Sequence, residues 1–215
     1  MISSRLARRI ESPLLPILKK INVNPNAITL AGFFITSAGA FIFAYDFRAG
    51  GAVILLGSLF DSFDGMVARA NGRTSAFGAY LDSVLDRYSD GFIFLGAAYH
   101  LRTNPVAVAL ALGTLMGAYL VSYTRARAEG LGVDCKVGVM ERPERIILVT
   151  AGAIFGFIVP ALWVLLAFAH FTAFQRIAHT RRALAVKKPE SREETPVRPS
   201  VTVKNVRREK GSGTV

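Results

Sequence analysis

Six apolar stretches account for most of the chain between residues 27 and 178. They cover about 27–46, 50–70, 76–99, 105–124, 143–159 and 160–178. A helix needs about 20 residues to cross the hydrocarbon core of a bilayer, and a chain in lipid must satisfy its backbone polar groups internally. The pattern therefore predicts an all-α integral membrane protein with six transmembrane helices. The turn between the last two helices is predicted at Val159-Pro160, since proline disrupts a helix interior.

The second and third stretches contain four aspartates that a lipid-facing helix would not tolerate. Asp61 and Asp64 are three residues apart. Asp82 and Asp86 are four residues apart, so each pair shares one face of its helix. Ionised carboxylates at membrane depth are costly and face a bundle interior or a cavity. Two such faces turned together offer hard oxygen ligands for Mg²⁺ or Mn²⁺, which predicts a metal-dependent active site facing a lipid substrate.

These aspartates belong to a motif with fixed residues at fixed gaps. It reads D-x-x-D-G-x-x-A-R-(x)8-G-x-x-x-D-x-x-x-D, and its fixed positions are Asp61, Asp64, Gly65, Ala68, Arg69, Gly78, Asp82 and Asp86. The motif resembles the signature of the CDP-alcohol phosphotransferases. The resemblance implies that the four aspartates bind the metal ions and that Asp86 also takes the proton of the attacking hydroxyl. It further implies a homodimer.

The implied chemistry is a displacement at a pyrophosphate. Two divalent ions would neutralise the charge of a CDP-activated lipid and stabilise the entering and leaving oxygens. The acceptor oxygen attacks the β-phosphorus, which bears the lipid, and CMP leaves. Because the sequence shows no candidate for a covalent intermediate, direct displacement is predicted.

Small residues beside the aspartates favour a nucleotide site. Gly65 and Ala68 are three residues apart, about one helical turn, and leave room for a nucleotide to approach the backbone. The resemblance implies that the CDP-lipid is bound by these residues, by Arg69 and Ser75, and by a segment at the start of the first helix: Asn24, Pro25, Asn26, Ala27 and Thr29. A simple helix start is the alternative for this segment, because Pro25-Asn26 is also favourable capping chemistry.

Arginines lie near the ends of the helices that follow the motif, at Arg125, Arg127, Arg142, Arg145 and Arg176. Guanidinium groups suit bidentate phosphate binding, so they predict an acceptor that carries a phosphate, although cytoplasmic helix ends are basic in any case. The segments S-Y-T-R-A-R-A-E and E-R-P-E-R resemble the phosphatidylinositol phosphate synthase branch and its archaetidylinositol phosphate counterpart, which use inositol 1-phosphate. Position 125 is Arg where the bacterial branch has Lys. Glycerol 3-phosphate therefore stays open as an alternative acceptor, and both ester and ether lipids stay open as the donor.

Basic residues outside the apolar stretches lie almost entirely at one end of the predicted bundle. The other end carries only Arg48 and Arg102. Cytoplasmic loops of membrane proteins carry the excess of Lys and Arg, so both termini and the active site are predicted on the cytoplasmic side of the cell membrane. The net charge of +11 is explained by anionic lipid headgroups rather than by nucleic acid, since no aromatic residues are interleaved with the charges.

Three regions are predicted along the chain. Residues 1–22 alternate apolar and basic residues in the manner of an amphipathic helix that lies in the membrane interface. Residues 23–180 form the transmembrane domain that the family resemblance covers. Residues 181–215 mix charged residues with Pro, Ser and Gly without an apolar period, and they are predicted to be a disordered basic tail.

Two functions of other classes fit parts of the pattern. The carboxylates could bind a transported cation, which predicts ion flux that does not depend on a nucleotide. A lipid-binding scaffold without catalysis is the other alternative, and it would tolerate Asp86→Asn.

Overall fold

The computed structural model describes residues 25–72 and 75–186, apart from the side chains of Pro25, Ser62, Asp64 and Ala68. These residues form six α-helices and contain no strand. The helices are α1 (Pro25–Phe43), α2 (Phe47–Ala70), α3 (Ala76–His100), α4 (Pro105–Gly130), α5 (Arg142–Ile154) and α6 (Ile158–Val186). The predicted all-α architecture is confirmed.

Two predicted regions fall wholly or largely outside the described residues. The amphipathic helix predicted at 1–22 and the donor-binding residue Asn24 lie there, as does most of the predicted tail, at 187–215. Residues 181–186, which the sequence assigned to the tail, form the end of α6.

Side-chain caps explain where three of the helices begin. Asp46, Ser75 and Asn104 precede α2, α3 and α4 in extended backbone conformation. Each side chain accepts a backbone N–H of the following first turn at 2.8–3.1 Å. Because the first N–H groups of a helix have no partner within the helix, these caps stabilise the starts of α2–α4.

The turn between the last two helices differs from the prediction at Val159-Pro160. Helix α5 ends at Ile154 and α6 begins at Ile158, so the turn occupies residues 155–157. Gly156 supplies the positive φ of 84°, a conformation that glycine adopts at little cost. Pro160 lies in the first turn of α6, where the missing N–H loses no helical hydrogen bond.

Four of the six helices are long and apolar enough to cross a membrane. They are α1, α2, α4 and α6, with the qualifying segments Asn26–Phe43, Phe47–Val67, Pro105–Gly130 and Ile158–Val186. Helix α3 has 25 residues but carries Asp82, Asp86, Arg87 and Asp90. Helix α5 has 13 residues, which span only about 20 Å. The two exceptions are therefore the helices that carry much of the candidate site.

The six helices pack as a closed ring. Each has two principal neighbours, in the order α1, α2, α5, α6, α4, α3 and back to α1. Glycines permit close approach at several of these contacts. Gly117 of α4, for example, meets Ala169 and His170 of α6. The ring holds the aspartate-bearing helices α2 and α3 beside α5 and α4, and the site forms between them.

Replacing Gly96 with alanine is expected to destabilise the ring. The added methyl group would lie 2.6 Å from the carbonyl oxygen of Ala40 on α1, so α1 and α3 would have to separate. Overpacking of this kind costs about 1–3 kcal/mol, which thermal unfolding of the purified protein in detergent would register as a lower Tm. Gly130→Ala is the matched control, because no atom of the described residues lies within 4 Å of the methyl group that it adds. Equal melting temperatures for the two variants would contradict this packing.

Candidate active site

Three carboxylates from α2 and α3 converge inside the ring. Asp61 of α2 and Asp82 and Asp86 of α3 are partly buried, and each offers an oxygen within 4.8 Å of the other two. The side chain of Asp64, the fourth predicted ligand, lies outside the described residues. Clustered carboxylate oxygens are the ligands that hard divalent cations prefer, so the donor set fits Mg²⁺ or Mn²⁺.

Arg142 lies against this cluster. Its Nη1 donates to Asp61 Oδ2 and lies 2.7 Å from Asp86 Oδ1. The sequence assigned Arg142 to the acceptor phosphate, whereas the structure places its guanidinium between the carboxylates and the neighbouring cavity. A cation in this position offsets the mutual repulsion of the aspartates.

A fifth carboxylate, Asp90, is buried one helical turn after Asp86 on α3. The sequence analysis did not assign it to the site. Arg145 Nη2 donates to Asp90 Oδ2 at 2.7 Å, and both side chains are only 1% exposed. Asp90 follows Asp86 by four residues, which places the two on one face of α3. That spacing was the available signal. The ion pair ties α3 to the first turn of α5.

A cavity of about 1280 Å³ opens beside Asp86, bordered by α3, α4, α5 and α6. Four of the predicted acceptor arginines line it: Arg125, Arg142, Arg145 and Arg176. Arg127 is exposed and is not among the lining residues. Arg127 follows Arg125 by two residues, so the two side chains leave α4 in different directions.

The lining arginines are held in different ways. Arg176 is 2% exposed and donates to the carbonyl oxygens of Val121 at 2.6 Å and Val137 at 2.8 Å. Arg125 is more accessible, with 42% of its side chain exposed, and pairs with Glu129 at 2.9 Å. Arg176 therefore braces the cavity wall through its backbone contacts, while Arg125 can bind a ligand at the mouth.

Arg145, one of the residues that line the cavity, has two side-chain donors without an acceptor among the described residues. Its Nε and Nη1 are buried and have no hydrogen-bond partner among the residues that the structure describes. Buried donors of this kind are uncommon in proteins and call for an explanation. An anion in the cavity would supply the missing acceptors.

Arg87 is a lining residue that the sequence analysis missed. Its Nη2 donates to Ser122 Oγ at 2.6 Å, and its Nη1 donates to Ser83 O at 2.6 Å. Arg87 lies inside the third apolar stretch, next to Asp86. No pattern in the sequence predicts its hydrogen bond to α4.

Some of the predicted donor-binding residues lie together at the starts of α1 and α3. A methyl group at Gly78 would meet Ser75 Oγ at 2.9 Å and Asn26 Oδ1 at 3.1 Å, so these two polar groups flank Gly78. Two further residues of the predicted donor site differ in burial: Thr29 is buried at 5% exposure and Ala27 is exposed.

The space beside Gly65 is shared with another motif residue. A methyl group there would lie 3.2 Å from Arg69 Nη1. The guanidinium of Arg69 thus lies against Gly65 on the same face of α2. Ala68 and Pro25 belong to the predicted donor site as well, but their side chains lie outside the described residues.

Comparisons with known proteins agree with the motif. A family model described as CDP-alcohol phosphatidyltransferase matches residues 22–175. Archaetidylinositol phosphate synthase from Methanothermobacter thermautotrophicus is 40% identical over 176 residues, which cover 79% of this chain and 89% of the relative. Phosphatidylinositol phosphate synthase from Mycobacterium tuberculosis is 38% identical over 151 residues, covering 67% and 69% of the two chains.

Solved structures show the same similarity. A crystal structure of the Mycobacterium tuberculosis phosphatidylinositol phosphate synthase with CDP-DAG bound superposes with a TM-score of 0.70 at 33% identity, covering 80% of this chain and 94% of that one. A structure of the same synthase in complex with manganese and citrate has a TM-score of 0.72 at 31% identity, covering 80% and 88%. From the carboxylate cluster, the extent of the family match and these relatives, we conclude that the chain belongs to the CDP-alcohol phosphatidyltransferase family, membrane transferases of phospholipid biosynthesis that use divalent metals.

Proposed function

We propose that the enzyme transfers the phosphatidyl-type group of a CDP-activated lipid to inositol 1-phosphate and releases CMP. The observation that carries this proposal is the arginine-lined cavity beside Asp86. An acceptor with a phosphate monoester would use those guanidinium groups, whereas a plain alcohol would leave Nε and Nη1 of Arg145 without an acceptor among the described residues. The names of the relatives, archaetidylinositol phosphate synthase and phosphatidylinositol phosphate synthase, support inositol phosphate as the acceptor.

The phosphate would be bound by groups that are already in place. Arg145 offers two buried donors that have no hydrogen-bond partner in the described part of the chain, and Arg125 lies at the more exposed part of the cavity. Charge-assisted hydrogen bonds to a phosphate are about twice as strong as neutral ones. Arg142 lies between this cavity and the aspartates, so the bound phosphate would lie close to the carboxylate cluster.

The aspartates would hold the metal and orient the donor. Asp61, Asp82 and Asp86 supply the converging oxygens, and Asp64 completes the motif; we propose two ions, as in the family resemblance. Bound divalent cations supply positive charge to the pyrophosphate and raise the acidity of a nearby hydroxyl. The donor nucleotide would lie against Gly65 and the small residues of the motif.

Asp86 is the residue that connects the two halves of the site. Of the three clustered carboxylates, Asp86 alone is among the cavity-lining residues within the described part of the chain. In our proposal it accepts the proton of the acceptor hydroxyl. The acceptor oxygen then bonds to the β-phosphorus, the bond from that phosphorus to the oxygen of CMP breaks, and CMP leaves with the electron pair.

We also propose that the site opens to the cytoplasm. The cavity arginines lie at the same end of the ring as Arg181 and Arg182 near the end of α6, while Arg48 and Arg102 lie at the opposite end. Basic residues concentrate on the cytoplasmic side of membrane proteins. The homodimer implied by the family resemblance stays a prediction.

Acceptor choice is tested by CMP release from the purified enzyme with Mg²⁺ and CDP-diacylglycerol. Inositol 1-phosphate, glycerol 3-phosphate and free inositol would be compared at equal concentrations, and we expect release with inositol 1-phosphate only. Release with glycerol 3-phosphate instead would keep the transferase reaction but replace the acceptor. If all three acceptors fail, an ether-linked donor with Mn²⁺ is the second condition, and failure there as well would contradict the proposal.

A further inference from the structure

Arg142 contacts two aspartates of the cluster and lies just beyond hydrogen-bond distance of a third aspartate, Asp90. Its Nη1 contacts Asp61 Oδ2 and Asp86 Oδ1. Its Nε lies 3.7 Å from Asp90 Oδ1, which is too long for a hydrogen bond. Both Arg142 Nε and Asp90 Oδ1 are buried and have no hydrogen-bond partner among the described residues. The two groups thus face each other at ion-pair distance without forming a hydrogen bond.

The absence of a hydrogen bond between these two buried groups of the described chain is unusual. Buried polar groups nearly always form hydrogen bonds, and burying one without a hydrogen bond is destabilising. Asp90 uses its other oxygen, Oδ2, to hold Arg145 at 2.7 Å. A shift of the Arg142 guanidinium by less than its own width would pair Nε with Asp90 Oδ1. Asp61 and Asp86 are thus the first anchor of Arg142, and Asp90 provides a second one.

The first anchor is shared with the metal site. Asp61 and Asp86 are two of the three carboxylates whose oxygens converge, and Arg142 occupies oxygens of both. A divalent cation bound by these oxygens would repel the guanidinium at short range. Arg142 then needs another carboxylate, since a buried guanidinium without a partner is strongly destabilising.

We propose that Asp90 is a positioning residue that receives Arg142 when a divalent cation takes the oxygens of Asp61 and Asp86. This inference rests on the metal site of the proposed function. In the exchanged position Arg142 is anchored through Nε, and its terminal nitrogens are released from the aspartates toward the cavity that it already lines. The acceptor site is therefore completed only when the metal site is filled.

A Mn²⁺ titration of the purified full-length enzyme without lipid donor tests this exchange, with free Mn²⁺ followed by its electron paramagnetic resonance signal. The variants are Asp90→Asn, Arg142→Gln and the double variant. Arg142→Gln removes the competing cation and should tighten Mn²⁺ binding. Asp90→Asn should weaken Mn²⁺ binding about tenfold in the native background but less than about twofold in the Arg142→Gln background, a coupling typical of interacting residues.

The double variant separates exchange from simple charge effects. If Asp90 acts on the metal only through space, Asp90→Asn will weaken Mn²⁺ binding equally in both backgrounds, and the exchange is overturned while the metal site stands. If the unaltered enzyme binds no Mn²⁺, both the proposed metal site and the proposed exchange are contradicted.

A structure of the unaltered enzyme with bound Mn²⁺ provides a test that does not depend on how well Asp90→Asn folds. We expect Arg142 Nε within about 3.2 Å of Asp90 Oδ1 and Nη1 no longer in contact with Asp61. Arg142 remaining on Asp61 in the presence of bound Mn²⁺ would overturn the proposal.

Discussion

Asp86→Asn is expected to lower the rate of CMP release about a thousandfold or more at saturating substrates, since loss of a general base alone costs about 10²–10⁴-fold. Asparagine has nearly the same shape as aspartate, so the cavity wall is kept. The substitution removes the proton acceptor that we propose and one carboxylate from the cluster of Asp61, Asp82 and Asp86. Metal-dependent binding of the CDP-lipid should persist in part, because the other aspartates remain.

Asp134→Asn is the matched control for this experiment. Asp134 lies in the segment between α4 and α5, is 66% exposed, and pairs with Lys136 at 2.7 Å. It is not among the residues that line the cavity. CMP release by this variant should stay within about twofold of the native rate, as surface changes usually cost little. Near-normal turnover by Asp86→Asn would remove Asp86 from its role as base.

The second large effect concerns the acceptor. Replacing Arg125 with alanine is expected to raise the KM for inositol 1-phosphate about 10–100-fold, because a hydrogen bond to a charged group contributes about 1.5–3 kcal/mol. Arg125 lines the cavity but lies outside the carboxylate cluster. The KM for the CDP-lipid should therefore change less than about twofold. Initial rates measured while each substrate is varied in turn would give both constants.

Arg127→Ala provides the comparison at almost the same place in the chain. Arg127 carries the same charge, lies on the same helix two residues later, and is exposed away from the cavity lining. Its substitution should leave the acceptor KM within about twofold of the native value. If the two variants raise the acceptor KM equally, general positive charge at this membrane surface, rather than a phosphate contact by Arg125, would account for the effect.

Features encoded by local spacing were predictable from the sequence. Helix-length apolar stretches predicted six helices with starts close to the observed ones. The four-residue gap placed Asp82 and Asp86 on one face of α3, and the packing of the helices brings Asp61 to them. The turn before α6 was misplaced because Pro160 was interpreted as a break. Proline is favourable in the first turn of a helix, and the actual break depends on Gly156.

Features encoded by contacts between distant helices were harder to obtain. The helical period alone separates Arg125 from Arg127 and aligns Asp90 with Asp86, so those two points were available in the sequence. The pairing of Asp90 with Arg145, 55 residues later, was not. Nor was the position of Arg142 on the aspartates rather than wholly within the arginine cavity, because it depends on how α5 packs against α2.

The carboxylates and the cavity arginines come from different halves of the chain. The carboxylates belong to α2 and α3, whereas Arg125, Arg142, Arg145 and Arg176 belong to α4, α5 and α6. The loop at residues 101–104 joins the halves at the end of the bundle away from the site. The two halves are nevertheless tied together, because Arg142 and Arg145 of α5 pair with Asp61, Asp86 and Asp90 of α2 and α3. Exchanging the second half with that of a relative would replace the arginines of the cavity, and the exchanged half would have to keep these two arginines for the carboxylates to keep their partners.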